Sequence, residues 1–551
     1  MASAGRSDSI RLTNYEFPAM TITEWILLVG WLFVLAWVPF VILTNRKTHP
    51  AALFVLFGAE MWERFSYYGM RALLTLYMVK VLFADMGAAA ADGRALGIYG
   101  SYTSMVYLFP VVGGLIADQV FGFRKAVLFG GILMMAGHFA LALEGMLFEG
   151  SLPLFFGSLS LIIVGNAYFK PNISSFLGTF YEPNDARKDG AFTIFYMGVN
   201  IGAFLATLTC GYVGEQISWH YGFGLAGIGM GLGLLVFWLL GPRLFGGKGL
   251  EPDQEAVRKP FLGPISKNNL VYLGTFIIIP ICAALLNLDA LMSSALLVIS
   301  LGIVGYLVYQ GVTAQDKVEG QRLLVVVVLF FFHAIFWALF EQAGGSLTLF
   351  TERNVDRMVG DSEIPASIFQ SLNPLYIMLL APVFSWIWLR LSKAKREPST
   401  PMKFVLGLFQ LGLGFVVIVV AAQFFADAEG LIPVVFLFLM YLLHTTGELS
   451  LSPVGLSMIT KLSPAKIVGF VMGAWFLSIA LANKIAGEIG KLTAGGGHGG
   501  TGASDEMGSP LETLAIYSDT YLTWGVFVVL GASAILFAMV PLLRKWMHGI
   551  H

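Results

Sequence analysis

A chain of 551 residues that is 57% hydrophobic and only 12% charged departs from an average soluble domain, where the shares are about 45–50% and about 25%, and reads as an all-α polytopic membrane protein. Its formal charge of −1 excludes a basic surface for nucleic acid. The two cysteines, Cys210 and Cys282, both lie in apolar runs; they exclude a disulfide framework and give no metal-ligand spacing.

Apolar runs long enough to cross about 30 Å of hydrocarbon as helix recur from residue 23 to residue 543. Lipid offers the backbone no hydrogen-bond partner, so repeated spans of this kind are helices. The predicted spans are 23–44, 52–82, 96–118, 125–146, 153–179, 190–214, 221–240, 269–286, 291–311, 321–345, 365–391, 403–425, 431–456, 466–490 and 520–543. The segment 241–268, with Pro242, Gly246, Gly247, Pro252, Pro260 and Pro264 among alternating charges, is the clearest break. The organisation that follows is a tail and accessory helix over 1–51, a six-helix bundle over 52–240, a linker with an inserted helix pair over 241–320, and a second six-helix bundle with its tail over 321–551.

Short cytoplasmic loops carry an excess of Lys and Arg. Arg46, Lys47, Arg124, Lys125, Arg187, Lys188, Arg243, Lys248, Arg390, Lys393, Lys461, Arg544 and Lys545 fall on one side, against Arg6, Arg11, Lys80, Arg94, Arg353, Arg357 and Lys491 on the other. That bias puts the N-terminus outside and the C-terminus in the cytoplasm. The first span, preceded by Arg6 and Arg11, is too long for a signal core, begins with Glu24 and ends in ILTNRKTHP without a small-residue cleavage site, so it reads as a retained helix.

The stretch EMWERFSYYGMR at 60–71 places Glu60, Glu63, Arg64, Tyr67 and Arg71 on a helical stripe about 100° wide. Each charge costs at least ~2.5–3.5 kcal/mol to insert, so the stripe lines a polar cavity or meets buried partners. Lys170, Glu341 and Glu448 are the candidate partners, each beside a Gly or Pro expected to interrupt its helix and expose backbone to a ligand. Asn166, Asn172, Asn200 and Asn373 add neutral polar groups. His333 and His444 invite a proton relay, but a neutral histidine satisfied by a nearby carbonyl is the favoured reading. Lys484 and Glu488 read as an i,i+4 pair near the external end. GGGHGGTG at 495–502 lacks the Lys-Ser/Thr ending of a phosphate loop and reads as an external linker.

With these motifs together, the chain resembles the proton-dependent oligopeptide transporter family of the major facilitator superfamily, in its bacterial form. The acid-x-x-acid-Arg-Phe-x-Tyr-Tyr-Gly signature runs from Glu60 to Gly69. FKPN at 169–172, FYMGVNIGAF at 195–204, FWALFEQ at 336–342, NPLYIMLLAP at 373–382, GELSLSPVGLS at 447–457 and MGAWFLSIA at 472–480 reinforce it. The resemblance implies proton-driven import of di- and tripeptides, with protons as coupling ion and no cofactor, through a bacterial inner membrane. It places Arg64, Lys170 and Tyr68 near the peptide carboxylate, and Glu448, Asn200 and Asn373 near its amino group. Tyr67, Arg71, Ser452 and Trp475 join the pocket. Glu60, Glu63, Arg64 and Glu341 would take part in proton coupling, and Arg71 with Glu341 would gate the external side. In GGLIADQVFGFRK at 113–125, Asp118 and the basic residues after it would latch the cytoplasmic side.

Two features depart from the family plan: 96–118 lacks the histidine of animal members, and the span 23–44 is extra. The alternative substrate is another small metabolite or anion, such as nitrate; the intact Glu60 and Glu63 favour peptide. An enzyme would need a catalytic constellation, and there is no H-E-x-x-H pair or nucleophilic Cys-His set.

Overall fold

A helix occupies each predicted span in the computed structural model, which describes residues 20–182, 184–252, 254–494 and 509–550. The expected linker at 495–502 lies outside the described residues. The first part of the chain forms α1 (Ile22–Asn45), α2 (Ala51–Tyr77), α3 (Ala88–Leu108), α4 (Pro110–Ile116), α5 (Gly122–Leu147), α6 (Leu152–Gly178), α7 (Lys188–Gln216) and α8 (Trp219–Leu244). The short α9 (Gln254–Arg258) precedes the inserted pair α10 (Lys267–Asn287) and α11 (Asp289–Thr313). The second half holds α12 (Lys317–Phe340), α13 (Ser346–Asn354), α14 (Leu372–Lys393), α15 (Thr400–Phe424), α16 (Val435–Leu462), α17 (Val468–Leu492), α18 (Pro510–Thr520) and α19 (Val529–Trp546).

Among the described residues, twelve helical stretches are long and apolar enough to cross a membrane by length and composition. One of them, Ala88–Leu147, holds two predicted spans, because the chain turns at Gly122 with φ +67 rather than through a loop. Little strand is present among the described residues; Val355–Asp356 pairs in parallel with Ile432–Pro433.

Three boundaries differ from the sequence reading for physical reasons. The helix α3 begins at Ala88, earlier than predicted, because alanine favours helix and Asp92 is held there by Arg353 at 2.5 and 2.8 Å. The span after 321 tightens into a 3₁₀ turn at Glu341–Gly344 and continues as α13. The interruptions expected beside Lys170 and Glu448 are absent, since α6 and α16 run through Pro171, Gly447 and Pro453. Pro171 has no N–H for the carbonyl of Ala167, and the neighbouring helix covers that carbonyl. A Cβ on Gly113 would lie 1.9 Å from Ala167 O, so only glycine permits the approach. Asn172 Nδ2 donates to Tyr168 O (2.8 Å) and Gly113 O (3.3 Å) across the same contact.

The helix α1 starts at a capping box between Thr21 and Glu24 and lies along α7. Trp31 Nε1 donates to Thr209 Oγ1 at 3.0 Å, and Tyr212 OH donates to Glu24 Oε1 at 3.0 Å. Its opposite face is exposed at Val29, Leu32, Leu35 and Leu43, as suits contact with lipid. At its C-terminal end the loop to α2 is tied to the loop before α7, where Arg187 Nη1 donates to Thr48 O at 3.0 Å. Hydrogen bonds from Arg187 also hold the Asp185 carboxyl down at about 2. Removal of residues 1–45 is therefore expected to leave uptake of peptide near the full-length rate in a stably inserted protein. Complete loss of uptake by such a truncation would make α1 part of the transport machinery.

Candidate functional site

Between the two halves lies a cavity of about 980 Å³. The first half contributes Glu60, Arg64, Tyr68, Arg71, Tyr107, Lys170 and Asn200, and the second contributes Glu341, Asn373, His444 and Glu448. The wall continues past Pro110, Gly114 and Asp118, the end of that segment assigned to the cytoplasm by the charge bias.

Along α2 the charges stack as the stripe requires. Arg64 Nε donates to Glu60 Oε1 at 2.8 Å and lies 3.3 Å from Glu63 Oε2. One guanidinium thus serves two carboxylates, both buried. Asn166 Nδ2 donates to the other oxygen of Glu63 at 3.2 Å, while Glu60 Oε2 and Glu63 Oε2 have no hydrogen-bond partner among the described residues. Two turns further out Arg71 forms an ion pair with Glu341 across the halves, and its Nε donates to Tyr99 OH at 2.6 Å. Beyond this pair Thr75 Oγ1 donates to Gly344 O at 2.8 Å, and Lys80 pairs with Glu352. Cross-half contacts therefore close the end that the charge bias assigns to the outside, and the cavity extends toward the opposite end.

Three charges on the wall remain without an ion pair among the described residues: Asp118, in the segment past Pro110 and Gly114, and Lys170 and Glu448. The Lys170 ammonium sits over the Tyr107 ring, 3.9 Å from its centroid. Glu448 Oε2 accepts from Asn373 Nδ2 at 2.9 Å and has no cationic neighbour. They stand in opposite halves. A cation–π contact and an amide hydrogen bond recover part of the several kcal/mol that burying each ion costs, and a ligand with one charge of each sign would supply the rest.

Several expected wall residues lie elsewhere. Glu63 and Tyr67 are buried behind the surface, and the Tyr67 hydroxyl has no partner. Trp475 is packed inside the second half against His333, with ring centroids 3.8 Å apart, because Gly455 leaves room for its indole; Phe476 lines the cavity instead. The side chain of Ser452 lies outside the described residues. Asp118 reaches the cavity wall, but Arg124 and Lys125 do not join it. They turn to the linker, Arg124 Nε donating to Lys248 O (2.7 Å) and Lys125 Nζ to Glu251 Oε1 (3.1 Å). His333 is a satisfied core histidine, held by Ser478 Oγ (2.9 Å) and by the indole N–H of Trp337 (2.8 Å) rather than by a carbonyl. The wall residues Tyr107, Tyr196, Trp337, Phe340 and Tyr441 went unpredicted, since an aromatic in an apolar span looks the same whether it faces a cavity or a neighbouring helix.

The model of the POT family matches residues 124–500. The chain belongs to the POT family. It is 40% identical over 451 residues to the peptide transporter YePEPT of Yersinia enterocolitica, a match spanning 80% of this chain and 88% of that one. It is 33% identical over 508 residues to dipeptide and tripeptide permease B of Yersinia enterocolitica, spanning 92% and 97%. A crystal structure of a variant of a peptide transporter POT in complex with alafosfalin superposes with a TM-score of 0.75 at 37% identity, covering 91% of this chain and 96% of that one. The fold is accordingly that of the major facilitator superfamily, and the protein is a multi-pass integral membrane protein.

Proposed function

We propose that this family member is a proton-coupled symporter that imports di- and tripeptides through a bacterial cytoplasmic membrane, with its C-terminus in the cytoplasm. The names of its relatives support the substrate class. The observation that carries the reading is the opposed, unpaired Lys170 and Glu448 facing one cavity from opposite halves. A zwitterionic peptide spans them, its carboxylate toward Lys170, Arg64 and Tyr68 and its ammonium toward Glu448, Asn373 and Asn200. Binding across the halves couples ligand to the rocking that exposes the site alternately to each side. Arg71 and Glu341 would part when the external side opens. Protons serve as the coupling ion, and no cofactor is involved.

Accumulation of labelled dialanine in proteoliposomes tests this. Uptake above equilibrium is expected with an inward acid gradient and not without it; equilibration at the same level under both conditions would remove the coupling. Glu448→Gln keeps the hydrogen bond to Asn373 and loses the charge. A hydrogen bond to a charged group is worth about 1.5–3 kcal/mol, so the variant is expected to raise the KM for dialanine at least about tenfold. An unchanged KM would take the amino group away from Glu448.

A further inference from the structure

The inserted pair packs α10 along α6 of the first half, where Tyr168 OH lies 2.6 Å from Thr275 Oγ1, and α11 along α12 of the second; at the turn between them the polar chemistry is concentrated on one carboxylate. Asp289, the first residue of α11, accepts from Ser101 Oγ of α3 at 2.8 Å and from the ammonium groups of Lys484 and Lys491, both on α17. Lys484 is 2% exposed and also lies 2.9 Å from Glu488, the i,i+4 partner expected from the sequence. The helix α3 belongs to the first half and α17 to the second. Their backbones touch beside Asp289, where a Cβ on Gly100 would lie 2.9 Å from Gly487 Cα. A Cβ on Gly97 would lie 2.9 Å from Asp289 Oδ2, so the carboxylate is seated against α3 itself.

We propose that Asp289 is a positioning residue for transport: the turn of the inserted hairpin clamps the external ends of the two halves together in the cytoplasm-open state. A carboxylate has room for several donors, and this one is shared between halves that must separate for the external side to open. When α3 and α17 part, Asp289 keeps its two lysines and gives up Ser101. The clamp adds to the closure made by Arg71 and Glu341 from a site that peptide does not touch. It rests on the alternating-access reading of the transporter.

The test reads the conformational equilibrium directly. Spin labels at Ile217→Cys and Phe425→Cys, both exposed at external ends of opposite halves, report the distance between the halves by pulsed electron resonance in nanodiscs without peptide or gradient. The two natural cysteines are buried and stay unlabelled. Asp289→Asn and Ser101→Ala are each expected to raise the long-distance, externally open population at least threefold. Ser101→Ala leaves both lysine pairs intact, so it isolates the cross-half arm and decides the matter if Asp289→Asn does not insert. Distributions that superimpose on the parent in Ser101→Ala would overturn the clamp, including the case where Asp289→Asn alone shifts, which would make Asp289 a mere anchor of the hairpin. Failure of the parent to accumulate peptide would overturn the transport reading and leave these distances interpretable.

Discussion

Lys170→Gln is expected to abolish gradient-driven accumulation of dialanine while leaving expression and insertion unchanged. The Lys170 ammonium has no ion pair among the described residues, only the face of Tyr107 at 3.9 Å. A cation–π contact contributes about 0.5–2 kcal/mol, less than the several kcal/mol of desolvation that an ion gives up on burial. In the proposed reading the remainder comes from an anion that arrives with the substrate. Loss of a charge-assisted hydrogen bond worth about 1.5–3 kcal/mol lowers affinity roughly 10- to 150-fold. Lys170→Arg is expected to stay well below wild type, because a planar guanidinium does not replace a point ammonium over an aromatic face. Accumulation by Lys170→Gln within a factor of two of wild type would leave Lys170 a structural role only.

The second large effect belongs to the acids that share Arg64. Glu60 and Glu63 together bring two negative charges to one guanidinium, and each keeps one oxygen with no hydrogen-bond partner. The triad is one proton short of neutrality. Held by strongly interacting sites, that proton belongs to the pair rather than to either acid. Glu60→Gln and Glu63→Gln each mimic the loaded state permanently. Either is expected to abolish uptake driven by an acid gradient while retaining part of peptide-for-peptide counterflow, which needs no net proton movement. If both variants still concentrate peptide, the coupling site is elsewhere, and Glu341, paired to Arg71 at the external closure, is the next residue to replace.

Much of this site was legible because charge in an apolar span is costly and therefore informative. The 60–71 stripe, Lys170, Glu341 and Glu448 stand out against hydrocarbon, and the family signature supplied their proposed roles. Which charges pair was not legible: Arg71 finds Glu341 some 270 residues away, and only the folded helices show that Lys170 and Glu448 are left without an ion pair on opposite walls of the cavity. The helix interruptions at Lys170 and Glu448 failed because a proline inside a membrane helix is tolerated when a neighbour covers the freed carbonyl, as the close approach of Gly113 does at Ala167. The place of Asp289 was invisible as well. It reads as an ordinary helix start between two apolar runs, and its partners come from α3 and α17.

Proton movement stoichiometrically tied to peptide entry is the most direct test of the account. Proteoliposomes containing the protein and an internal pH dye, poised inside-negative with equal pH on both sides, are to be given external dialanine. The lumen is expected to acidify with the protein present, and the acidification to vanish in Glu63→Gln and without dialanine. Peptide that enters wild-type vesicles with no change in lumenal pH would contradict proton-coupled symport through this cavity.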